Sequence, residues 1–195
     1  MTNNAIASLT HIIRTRRSTK PRYFNGKQID DAIVWEILEN ANWAPTHGRT
    51  QPWRFKVYTG VGLEKLADFQ ARWYEETITD ASFDPNKAKK LRTNILNSSH
   101  VIVIGMERLN SDKIPEIEEI EAVACAVQNM ALTAAAHGIC SLWGSGGPTY
   151  TETIKEFLGL KSQDRCLGYL YLGYSDTPST ISERSPIQDK VEWIS

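Results

Sequence analysis

Residues 100–147 read HVIVIGMERLNSDKIPEIEEIEAVACAVQNMALTAAAHGICSLWGSGG, and this stretch sets the fold class. His100 to Met106 contains a β-branched run of the kind found in a central strand buried on both faces. Residues 116–137 predict the longest helix, acidic at its start and rich in alanine at Ala122, Ala124, Ala126, Ala131, Ala134, Ala135 and Ala136. Small side chains let two backbones approach closely, so this helix is expected to be central, or to lie at a contact between subunits. Gly138 is placed to terminate it. Ile139 to Trp143 reads as a short strand, and Gly144, Gly146, Gly147 and Pro148 as a glycine-rich turn.

Working outward, Ile6, Leu9, Ile12 and Ile13 recur at helical spacing, and the helix they predict near residues 5–15 runs into Arg14, Arg16 and Arg17. Asp30 and Asp31 favour the start of a second helix, with Ile33, Ile37, Leu38 and Ala41 on its apolar face. Pro45 and Gly48 open a loop, after which Trp53, Phe55 and Val57 alternate with Arg54, Lys56 and Tyr58 as a half-buried strand. Two helical segments follow, near 62–74 and 84–97. Beyond the glycine-rich turn, Thr151 to Leu158 predicts a helix stopped at Gly159, and Cys166 to Leu172 a strand apolar on both faces. The polar tail carries Ile187, Val191, Trp193 and Ile194, so it is expected to dock on the body or on a partner subunit. Helices outnumber strands without strict βαβ alternation. The expected class is α+β, a central sheet flanked by helices, in one domain over residues 1–195.

Composition narrows the function. The 195 residues are 41% hydrophobic and 23% charged, the balance of a soluble globular chain. A net charge of −1 supplies no field toward nucleic acid or an anionic membrane. Cys125, Cys140 and Cys166 form neither a CxxC pair nor a zinc spacing, and no apolar leader stands at the N-terminus, so a cytoplasmic location is expected. Neither GxGxxG after a strand nor GxxxxGK[ST] occurs. A nucleotide would have to bind in another way.

Two segments carry candidate chemistry. Arg16-Arg17-Ser18-Thr19-Lys20 follows the first helix; guanidinium forks match phosphate oxygens, although cations at a helix end also simply complement its dipole. Ala44-Pro45-Thr46-His47-Gly48-Arg49-Thr50-Gln51-Pro52-Trp53-Arg54-Phe55 is a polar loop pinned by two prolines, suited to holding a planar heterocycle, with Trp53 and Phe55 read as core. The acidic run Pro115 to Glu121 reads as a solvated helix start, so no metal site is assigned, and His11, His100 and His137 read as helix-end or strand-end residues.

In order along the chain, these segments resemble the FMN-dependent nitroreductase family. RRSTK, then APTHGRTQPWRF, the strand HVIVI, the helix EAVACAVQNM, the strand GICSLW and the final strand LYLGY are each similar to family segments. The chain's length and its LWGSG turn look most like the family's small, minimal branch. The resemblance implies an intertwined homodimer with FMN at the subunit interface. Arg16, Arg17 and Ser18 would hold the phosphate and ribityl chain, and Lys20 the pyrimidine edge. Thr46 and His47 would come from the other subunit, while Trp143, Gly144 and Ser145 flank the ring and Arg184 adds a second phosphate contact. Arg49 or a neighbour stands where the common PSxxNxQPW form has asparagine, and Ser182 where many members carry lysine.

The implied activity passes hydride from NADH or NADPH through flavin N5 to a nitroaromatic, quinone or similar small acceptor, by a ping-pong mechanism with no catalytic side chain. A specialised flavoenzyme on the same scaffold, a non-enzymatic FMN-binding protein and a scaffold without flavin remain as alternatives.

Overall fold

A computed structural model describes residues 2–109, 113–178 and 182–195. The order is α1 (Thr2–Thr15), α2 (Asp31–Asn42), β1 (Trp53–Tyr58), α3 (Val61–Thr77), α4 (Pro85–Leu96), β2 (His100–Met106), α5 (Glu116–Ala136), β3 (Cys140–Gly144), α6 (Glu152–Leu158) and β4 (Arg165–Gly173). The strands form one sheet in the order β1-β2-β4-β3, with every neighbouring pair antiparallel.

The whole of β2 is buried, and the sheet's two faces explain why its sequence does not alternate. Ile102, Ile104 and Met106 pack with Ile37 of α2 and with Val123 and Met130 of α5. Val101 and Val103, on the opposite face, meet Leu66, Ile95 and Ile154 from α3, α4 and α6. Helices cover both faces, so a polar residue at Val101 to Ile104 would be buried in apolar packing, whereas His100, at the start of the strand, is buried with hydrogen-bond partners. The small residues of α5 do as the sequence suggests: Ala122, Ala126 and Ala134 are buried against the sheet and α2. Local chemistry sets the helix starts. The Asp30 carboxylate accepts the Ala32 N–H at 2.9 Å, and Asp84 caps α4 in the same way, with Pro85 in its first turn.

Two expectations need correction, and two apolar surfaces stay open within the protomer. The acidic run at the start of α5 is not a solvated face. Glu119 is buried and paired with Arg108, whose guanidinium also donates to Ile114 O at 2.7 Å; Glu116 pairs with Arg165 at 2.7 Å and Glu118 with His47 at 2.5 Å. The run lies under the end of the sheet, where arginines leave β2 and enter β4. The apolar face of α1 is formed but uncovered: Ile6, Leu9 and Ile13 are exposed, because no described element of the protomer passes over it. The tail does not dock on its own body, since Ile187, Val191, Trp193 and Ile194 are all exposed. Val57 is also more exposed than its strand pattern predicts, because β1 is an edge strand. Among the described residues no helix is long and apolar enough to cross a membrane.

The two-faced burial of β2 makes its side chains the most sensitive in the core. Ile104→Ala, at a fully buried position, is expected to lower unfolding free energy by about 2–5 kcal/mol in urea denaturation.

Candidate functional site

Arg16 leaves α1 with its N–H still bonded to Ile12 O at 2.9 Å. The chain then runs along the open edge of β3: Ser18 bridges Ser141 in parallel, and the Thr19 N–H donates to Ser141 O at 3.0 Å. Arg16 and Ser18 line a cavity of about 240 Å³ with Val127, Gln128, Ser141 and Trp143. Ser18 also lines a second, of about 360 Å³, with Arg17, Lys20, Arg22, Tyr23 and Thr177.

Both clefts are cationic. Neither lining contains a carboxylate, and none of Arg16, Arg17 and Lys20 joins an ion pair among the described residues. Arg17 donates from one terminal nitrogen to the carbonyls of Arg14 (2.6 Å) and Arg16 (2.9 Å), while its Nε is buried without a partner. A buried guanidinium donor left unpaired, among cations with no counter-charge, suits a phosphate ester.

The glycine-rich turn begins where β3 ends. Trp143 stays partly exposed, and its indole N–H donates to Leu167 O at 2.9 Å. That carbonyl is free because β4 is irregular there: Ile104 pairs with Gly168 and Gly105 with Cys166, leaving Leu167 as a bulge. Gly168 has φ +114, and a Cβ on it would lie 2.4 Å from Gly144 O and 3.1 Å from the Trp143 indole nitrogen. The sequence reading passed over Gly168, although a glycine inside an apolar strand is itself a signal of close backbone approach. Ser145, next in the turn, is exposed.

The loop at residues 45–52 is held in an unusual shape. Gly48, Arg49 and Gln51 all have positive φ, at 57°, 58° and 46°, a costly conformation for the latter two. Thr46 Oγ1 closes the loop, 2.8 Å from Thr50 Oγ1 and accepting from the Gln51 N–H at 3.2 Å. Trp53 is buried with its indole N–H on Asn42 Oδ1 at 3.1 Å, and Phe55 packs on the same core. His47 reaches Glu118 in the first turn of α5, whereas Arg16 and Arg17 share a cavity with Ala135 in its last turn. The cleft of Arg16 and Ser18 also reaches Ala124, which at 1.5 Å per residue lies only about 9 Å along α5 from Glu118. Within one protomer Arg16, Arg17, Ser18, Lys20 and Trp143 come together with Gly144 nearby, while Thr46 and His47 line neither cleft, His47 meeting the first turn of α5. Arg184 stands apart too, in the exposed C-terminal segment, donating to Ser182 Oγ and to Glu183 O.

One constellation imitates a catalytic triad. Ser99 Oγ lies 2.9 Å from His100 Nδ1, and His100 Nε2 lies 3.0 Å from Asp31 Oδ1. Its exposure is inverted for nucleophilic work: the serine is buried and already accepts the Ile29 N–H at 2.8 Å, while the carboxylate faces solvent. It clamps the start of β2 to the start of α2. Burial pushes the Cys166 thiol up to about 11, marking a core residue rather than a thiolate. Among the described residues, no three His, Cys, Asp or Glu side chains are grouped to hold a metal ion.

Comparison with known proteins adds a second line. The family described as the Nitroreductase family matches residues 13–174. The chain is 26% identical over 183 residues to YfhC of Bacillus subtilis (strain 168), a provisionally named NAD(P)H nitroreductase, covering 93% of this chain and 92% of YfhC. Its fold is similar to the crystal structure of a nitroreductase-like family protein from Bacillus cereus, with TM-score 0.81, 29% identity and 95% of each chain covered. It also matches the FMN-dependent nitroreductase NfnB from Mycobacterium smegmatis in complex with NADPH, at TM-score 0.76 and 16% identity, over 97% of this chain and 99% of that one. At that identity the likeness concerns the fold alone.

The close approach at Gly168 has a measurable consequence. Gly168→Ala is expected to push the Gly144 end of β3 off β4 and release the Trp143 indole, seen as a red-shifted tryptophan emission and a lower melting temperature. An unchanged spectrum and melting curve would show that the turn does not depend on this contact.

Proposed function

The chain belongs to the nitroreductase family, and we propose that it is an FMN-dependent oxidoreductase, a single FMN-binding domain moving hydride from NADH or NADPH to nitroaromatic, quinone or similar electron-poor acceptors. The observation that carries the reading is the cationic, carboxylate-free segment Arg16–Lys20, held along the edge of β3 and opening on Trp143. The names of YfhC and NfnB support the same cofactor and donor classes.

The residues divide the work by chemistry. Arg16 and Ser18 hold the phosphate and ribityl hydroxyls, with Arg17, in the adjoining cleft that Ser18 also lines, bringing an unpaired Nε. Lys20 places a cation at the pyrimidine edge, where negative charge develops on reduction, and so favours the reduced form. Trp143, Gly144 and Ser145 flank the ring from the end of β3. When bound, FMN supplies the two-electron chemistry. No side chain is assigned a nucleophilic or acid–base step.

The functional unit in this proposal is a homodimer. One protomer's clefts, at about 240 and 360 Å³, fall at the small end for a cofactor pocket. Thr46 and His47 line neither cleft of the protomer, and in this proposal they come from a second copy. Arg184 joins the phosphate site only once the tail is ordered against that copy. Pairing also covers apolar surface that one protomer leaves in water: Ile6, Leu9 and Ile13 of α1 and the tail residues Trp193 and Ile194.

The purified protein is expected to show a flavin spectrum that bleaches on anaerobic addition of NADH or NADPH and recovers with a quinone or nitroaromatic. Steady-state double-reciprocal plots should be parallel, since donor and acceptor share one slot. Bound flavin that neither nucleotide reduces would point instead to a flavin carrier or a specialised relative; no flavin uptake from excess FMN would end the proposal. Arg16→Ala is expected to weaken FMN binding about 10- to 100-fold, the scale of a lost charge-assisted hydrogen bond. Sedimentation should find a dimer, and a monomer retaining FMN would contradict the shared site.

A further inference from the structure

Behind the glycine-rich turn lie polar atoms for which the proposed reaction has no use. Gln70 of α3 and Tyr169 of β4 are fully buried, and Thr149 is 1% exposed. Gln70 and Thr149 both lie close enough to the Tyr169 hydroxyl to offset part of the effect of its burial by hydrogen bonding, yet none of these contacts has good geometry, and Gln70 Oε1, Gln70 Nε2 and Tyr169 Oη are left without a well-formed partner. Buried polar groups are nearly always paired, and two side chains from different elements leaving three atoms unpaired in one spot calls for a cause. Burial holds the tyrosine well above its usual range, so its hydroxyl stays protonated and keeps a hydrogen to donate.

The position of these atoms supplies the cause. At Gly147, with φ +64, a Cβ would lie 3.1 Å from Gln70 Oε1 and 3.5 Å from Leu91 Cδ2 of α4. The Gln70 carboxamide therefore sits directly behind the backbone of the turn. Thr149 grips the turn from the same side, its hydroxyl donating to Gly146 O at 2.7 Å. Gly144, Gly146 and Gly147 leave this turn soft, because glycine peptides adopt either orientation at little steric cost. A carboxamide both donates and accepts, so it can hold whichever orientation a ligand selects; an aliphatic side chain of the same size cannot.

We propose that Gln70 and Tyr169 are positioning residues for the turn Gly144–Thr149, hydrogen-bonding its backbone when FMN is in place and fixing the N–H groups that meet the flavin. This rests on the FMN reading of the site. It adds a second layer of residues, touching neither flavin nor substrate, that sets cofactor affinity and potential through the turn.

The test uses the full-length chain as Gln70→Leu, Tyr169→Phe and the double variant. FMN dissociation constants come from flavin fluorescence, midpoint potentials from redox titration, and stability from melting of the flavin-free protein. Each single variant should melt at or above the wild-type temperature, because it removes unpaired buried polar atoms. FMN affinity should nevertheless fall about five- to tenfold, the scale of one hydrogen bond, with a shifted potential. The double variant should lose little more than either single one, since the two groups act on one turn. Unchanged affinity and potential together with a raised melting temperature would overturn the proposal, leaving plain core polar groups. Where Gln70→Leu does not fold, Tyr169→Phe decides, as it removes a single oxygen. A wild-type protein that takes up no FMN would fail at the earlier step, the proposed function itself.

Discussion

The constraint on which the rest depends is the burial of β2 on both faces. A strand with Ile102 and Ile104 toward one layer and Val101 and Val103 toward the other requires helices above and below. With both faces covered, the sheet has only its edges and strand ends left to meet a ligand. The β3 edge is where the chain returns after α1, and its backbone groups are what Ser18 and Thr19 use to dock. The cationic segment is thus placed by ordinary strand pairing, and the side chains of Arg16, Arg17 and Lys20 enter no ion pair among the described residues.

The turn that follows β3 depends on a second constraint, closeness of backbones. Gly168 lets Gly144 O approach, and the bulge at Leu167 frees a carbonyl for the Trp143 indole. A turn built this way is precise at its start and soft further on, where Gly146 and Gly147 follow. Its underside is polar in an otherwise apolar layer. Strain appears in the other loop as well, where Arg49 and Gln51 hold left-handed conformations that their side chains disfavour. Both loops depart from the local rules that the rest of the chain obeys. Such departures persist where a fold spends stability on a site.

Charge follows the same division. The net charge of −1 conceals a sharply uneven distribution. Carboxylates at the start of α5 are consumed in pairs with Arg108, Arg165 and His47. The cations at the end of α1 face no carboxylate in their clefts. Composition could not reveal this, because pairing depends on which ends of elements meet in space.

The sequence by itself determined the layered α+β class, the place of nearly every element, the helix start at Asp30 and Asp31, the core roles of Trp53 and Phe55, and the family, because periodicity, helix-start chemistry and motif order are local properties written along the chain. Only the tertiary structure decided that Glu119 is buried, that Gly168 and Gln70 stand behind the turn, and that Ser99, His100 and Asp31 form a clamp. It also kept Thr46 and His47 out of the clefts lined by Arg16 and Arg17 and left the apolar faces of α1 and the tail open. These are facts about which surfaces meet. They turn on contacts between residues distant in sequence, and no spacing within the chain encodes whether a predicted apolar face finds its cover in the same copy or in another.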